Sequence, residues 1–279
     1  MNQSKSDPEP DDKFISMIHN YCDKWCERCT MTEYCAIYDG EETRALANGE
    51  LSEEDVLKRV GESLAEGLML VREWAIKNGI DPDEPPTEEY LAEEAEKEQK
   101  TRENRIVQDS DEYMMKVSEW FKKSPSLYKE KEEDLNQKLR MGLPDCDPQE
   151  EADDLEDCTE IILWDHTLIR TKVDRAVSGK IEGWPEVIAD MQPDYDGSAK
   201  VAILAIERSI ASWMRMRDHF PDKEDEILEF LILLSRMRKA LHQEFPNAMD
   251  FVRPGFDEGS GGLNAQNNFN LDLPTKYLK

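Results

Sequence analysis

The sequence predicts an all-α fold: a multi-helix bundle with an N-terminal four-cysteine metal-binding segment. Three observations predict it. The helix formers Glu, Lys, Leu, Met and Ala are abundant, and strand-like alternation of apolar and polar residues is scarce. Apolar residues recur at helical spacing in stretches bounded by capping residues, glycine or proline. Four of the six cysteines lie between Cys22 and Cys35.

Residues 1–12 read as a disordered acidic leader with no apolar h-region and no cleavage site, so no secretory signal is expected. Residues 13–140 read as a helical region bearing the cysteine site. On a single helix from Phe14 to Cys29, the residues Phe14, Ile15, Ile18, Tyr21, Cys22, Trp25 and Cys29 share one face, with Cys26 at its edge. The stretch "LSEEDVLKRVGESLAEGLMLVREWAIKNGI" opens on a Ser52-x-x-Asp55 cap and ends at Asn78-Gly79, which predicts one long helix. "DPDEPP" stops it. Residues 87–107 are highly charged and read as a solvated helix or connector. "DEYMMKVSEWFKK" is amphipathic and ends at Ser124-Pro125.

Residues 141–154, rich in Pro, Gly and Asp, read as a linker, and 155–252 as a helical bundle region. Its first helix runs from about 150 to 178. The second starts near Ser198, capped by Asp196 or Ser198, and stops before Pro221. The third takes Pro221 into its first turn and stops before Pro246. Residues 253–279 read as a tail.

The cysteines follow a C-x3-C-x2-C-x5-C spacing: Cys22, Cys26, Cys29 and Cys35. Cysteine is often a small buried hydrophobe, but four in so short a span point to a metal centre. Pairs at i,i+3 or i,i+4 on a helix fit disulfide geometry poorly. Thiolates select zinc, copper(I) or iron–sulfur clusters. Four-cysteine zinc sites join two close pairs across a longer loop, whereas the compact run here is nearer to ferredoxin-type spacing. The expected cofactor is therefore a [4Fe-4S] cluster, with Zn as the alternative. C-x3-C-x2-C is also the radical-SAM spacing, but a fourth cysteine is present and the strands of a barrel are missing. Cys146 and Cys158 are expected to be ordinary reduced thiols.

"HNYCDKWCERCTMTEYCAIYD" resembles the motif Y-C-D-x-W-C-E-R-C-x-x-T-x-x-C, which marks the N-terminus of a bacterial protein family of unassigned function. The later stretches "DGSAKVAILAIERSIASW" and "RPGFDE" share that resemblance. It implies a bacterial origin and a purposeful four-cysteine site, and it carries no mechanism with it.

Asp165 and Lys172 fall in the middle of an apolar helical face, and Glu207 and Arg208 interrupt an apolar run. Buried charges need partners, so a salt bridge network among these four is expected. The competing reading is a carboxylate/His di-metal oxidoreductase site using Asp165, His166, Glu160 and Glu207. No Glu-x-x-His pair of the kind found in di-iron bundles accompanies any of the four histidines. Phosphate-loop and nucleophile-elbow motifs are absent.

The formal net charge of −28 repels nucleic acid and anionic lipid. No apolar run approaches the roughly 20 residues of a membrane helix. The expected protein is cytoplasmic, with another protein as its partner, no nucleic acid and no membrane. It would use the cluster for electron transfer or redox sensing. The alternative is a zinc-stapled adaptor binding a partner protein.

Overall fold

The computed structural model describes residues 13–38, 52–142, 147–183 and 192–257. Those residues form seven α-helices joined by turns and short 3-10 helices, with no strand among them. The chain divides into two compact units, residues 1–96 and 97–279. The predicted leader 1–12 and most of the predicted tail lie outside the described residues.

In the first unit, residues 13–38 do not form the predicted helix. They fold as three 3-10 turns, Ile18–Asn20, Cys26–Arg28 and Thr32–Tyr34. Met17 and Lys24 adopt left-handed backbone, with φ of 61° and 63°. An α-helix cannot continue through such residues. Helix α1, Glu53–Lys77, starts as expected. Ser52 Oγ accepts from the Asp55 amide and Asp55 returns a bond to the Ser52 amide, which is a capping box. It ends where Gly79 takes φ +76°. There the Ile80 amide donates to Ala75 O and the Gly79 amide to Ile76 O, closing a Schellman motif. Helix α2, Glu88–Glu103, is largely exposed, and the division between the units falls within it.

The second unit is a bundle. Asn104 caps α3, Arg105–Lys123, by accepting from the Ile106 amide. Pro125 opens α4, Pro125–Met141, and Gly142 closes it with φ +59°. Helix α5 runs from Pro148 to Glu182, so residues 148–154 of the predicted linker are helical. Asp147 caps it by accepting from the amides of Gln149 and Glu150, and Pro148 sits where a missing N–H costs nothing. Helix α6 covers Asp194–His219, with Pro193 rather than Asp196 or Ser198 at its N-cap. Both predicted caps are buried inside its first turns instead. The 3-10 turn Pro221–Lys223 leads into α7, Glu224–Glu244.

Helices α5 and α6 pack along each other, α3 lies against α5 and α7, and α7 against α6. The core face of α5 carries Cys158, Ile162, Ile169, Val173 and Ala176 at helical spacing, all fully buried. Trp213 stacks on Phe230 with centroids 4.2 Å apart and meets Trp120 edge-on at 5.3 Å. Its indole N–H donates to Tyr113 Oη at 3.0 Å, so the polar atoms of two large buried rings satisfy each other.

Candidate metal centre and polar clusters

The Ile15 amide donates to Tyr34 O at 3.0 Å. This bond closes residues 15–34 into a loop that holds Cys22, Cys26 and Cys29, with Cys35 directly after it. Within the loop the Asp23 carboxylate accepts from the Trp25 amide at 3.1 Å, an Asx turn that competes with helix. The Cys29 amide donates to Cys26 O at 3.2 Å, and the Cys35 amide to Thr32 O at 3.3 Å. Ile18, Tyr21 and Trp25 are the buried apolar side chains of the segment. Arg28 lies over the Trp25 ring at 4.1 Å.

All four thiols are free and half-buried. The Met31 amide donates to Cys29 Sγ at 3.4 Å, and Cys22 Sγ donates to His19 O at 3.5 Å. Burial pushes the Cys26 thiol above its ordinary range, and the nearby Cys22, Cys29 and Cys35 push it further. Burial also raises Cys29, opposed by the Met31 amide and reinforced by Cys22, Asp23 and Cys35. Burial first, and the neighbouring cysteines second, disfavour the charged forms of Cys26 and Cys29, and a bound cation would offset that repulsion. Among the described residues no three His, Cys, Asp or Glu side chains converge as a single-ion site.

The second predicted site is not assembled. Asp165, fully buried on α5, receives the Arg208 guanidinium through Nε at 2.8 Å and through Nη2. His166 bonds through Nδ1 to Leu163 O at 2.7 Å, and its Nε2 lies 3.4 Å from Ser118 Oγ. Burial lowers its pKa. Glu207 stands 3.8 Å from Arg238. Glu160 lines an open groove of ≈ 880 Å³ between α4 and α5. Among the described residues these side chains do not gather into a metal-holding group. The expected salt bridge network forms in part: Asp165 meets Arg208, while Glu207 turns to Arg238. Lys172 is buried as predicted.

No protein-family model, curated protein or solved structure matches the chain.

Two polar clusters were not anticipated from sequence. Lys200 Nζ donates to Phe251 O at 2.6 Å and Met249 O at 3.2 Å, and pairs with Asp257 at 2.7 Å. Arg253 Nη2 donates to Asp257 Oδ1 at 2.8 Å. The "DGSAK" and "RPGFDE" stretches therefore meet through one carboxylate, and the start of the predicted tail is pinned to α6. Elsewhere Asp154 bonds to Arg215 and, at 2.8 Å, to His219. Cys158, beside Arg215, is buried, and its thiol is pushed up to about 12. It is an inert core thiol. Cys146 lies outside the described residues. No described helix is long and apolar enough to cross a membrane.

Proposed function

We propose that Cys22, Cys26, Cys29 and Cys35 hold a [4Fe-4S] cluster that serves electron transfer or redox sensing. The observation that carries this reading is the build of residues 13–38. They have no α-helix or strand, few buried apolar side chains and no disulfide, yet one closed loop carries three half-buried thiols with a fourth directly after it. So small a segment cannot hold a unique fold by apolar burial alone and needs a cross-link. Metal binding by thiolates supplies one. The compact C-x3-C-x2-C-x5-C run favours a cluster over a single ion. The Met31 amide on Cys29 Sγ is of the kind that tunes a cluster's potential. Arg28, held over Trp25, places a cation at the loop that offsets the negative charge of a thiolate-bound cluster.

A zinc staple in a partner-binding adaptor is the second reading. The tight Cys26–Arg28 turn, with an amide on the following sulfur, favours it, since C-x2-C turns are common in closed zinc sites.

Anaerobic purification with iron, sulfide and zinc analysis separates the two. About four irons and four sulfides per chain, with broad visible absorption lost in Cys26→Ser, are expected. One zinc per chain, no colour and no iron would replace the cluster with the staple.

A further inference from the structure

Helix α1 carries an apolar row that is exposed except at the buried Ala75, and Met69, Leu70 and Ile76 are exposed on its other sides. Leu57, Val60, Leu64, Leu68, Val71 and Trp74 are each at least half exposed, from 51% at Val60 to 73% at Leu57. At 100° per residue they fall in a strip about 120° wide, the width of a core-facing stripe. The helix is about 37 Å long. Six side chains at roughly 100 Å² each equal the largest apolar patch an ordinary monomer leaves exposed.

We propose that this stripe is a self-association face, through which two copies of the chain pair by α1 in antiparallel order. The stripe is complementary to itself in that order. When Leu57 of one copy faces Trp74 of the other, Val60 faces Val71 and Leu64 faces Gly67. Gly67 has nothing within 4 Å of the place its Cβ would occupy, so the facing Leu64 has room to seat. Each of these contacts occurs twice about one two-fold axis, as an isologous dimer requires. Two copies bury twelve such side chains, which reaches roughly 1,200 Å², the lower bound of a stable interface. The helix dipoles select the orientation, since antiparallel order opposes them. In this register Glu54 of one copy lies level with Lys77 of the other and Lys58 with Glu73, while Arg72 is held by Asp83 of its own chain.

Light scattering on the full chain over a wide concentration range tests it, with far-UV dichroism as the control for folding. Twice the 32.3 kDa chain mass is expected. Leu64→Glu should give single chains of unchanged helicity. Met69→Glu, on the same helix but off the stripe, should remain paired. Should Leu64→Glu lose helicity, Leu64→Ala replaces it, with a dissociation constant raised about tenfold or more. A wild-type chain that runs as a monomer overturns the proposal, whether the stripe closes on its own chain or awaits another protein. So does a Leu64→Glu or Leu64→Ala chain that pairs as tightly as wild type, or a Met69→Glu chain that dissociates as Leu64→Glu does.

Discussion

Asp165 has no solvent exposure, and Arg208 is its bidentate partner across α5 and α6. Removing Arg208 takes the counter-charge away from a buried carboxylate. Arg208→Ala should therefore cost about 3–5 kcal/mol in urea unfolding. The double replacement Asp165→Leu with Arg208→Met should cost less than either single change. A double variant as unstable as the sum of the singles would contradict this account. Asp257 makes a second residue-scale prediction, through pH. Burial works against its charged form, but Arg253 and Lys200 hold its carboxyl down to about 2. An unfolded aspartate titrates at about 3.9. The folded pKa is the lower one, so the stabilisation is full above about pH 4 and is lost as pH falls toward about 2. Asp257→Asn should flatten the acid limb of the urea midpoint against pH in that window. The sequence revealed that Asp165 needed a partner, because its place on an apolar face is local information. It did not reveal Lys200 and Asp257, which are far apart in the chain and read separately as an ordinary helix charge and an ordinary tail charge.

Helix ends were legible where a short-range chemical rule fixes them. Ser52, Asp55 and Gly79 mark α1 because cap and Schellman geometry need only neighbouring residues. Two variants test those ends with far-UV dichroism of the α1 region against temperature. Ser52→Ala should cost about 1 kcal/mol of helix stability through the lost cap. Gly79→Ala, which forces a side chain into φ +76°, should cost about 1–2 kcal/mol. An unaltered melting curve in both would mean that α1 is held by something other than its ends. The cysteine segment was the element that periodicity misplaced. Apolar residues at i, i+3, i+4 and i+7 describe a helix face, but they also describe side chains gathered inside a loop of 3-10 turns. What breaks the helix is left-handed backbone at Met17 and Lys24, and neither residue type announces it. The one local signal was Asp23, whose carboxylate takes the Trp25 amide and so offers the backbone an alternative to helix. The four candidate ligands were nominated from spacing alone, which is a property of the chain and does not depend on the conformation between them.

The two units differ in what their described residues bury. The second unit has a continuous apolar core, from Ile106 on α3 to Ala248 beyond α7, built around the Trp213–Phe230 stack. Every member of that core lies within residues 97–279. In the first unit, residues 13–38 bury three apolar side chains and carry the four thiols. The two units should then respond to different perturbations. A fragment of residues 97–279 is expected to be helical and to unfold in one cooperative step, since its core is complete without the rest. In the full chain, Cys26→Ser or a strong chelator should alter proteolysis within residues 13–38 while leaving the midpoint of that helical transition within error. Loss of the fragment's cooperativity, or a midpoint that falls with Cys26→Ser, would mean that the cysteine centre supports the bundle as well as its own loop. A core of packed rings loses water contact whether or not a metal is bound, whereas a loop held by metal–thiolate bonds would loosen once the metal left.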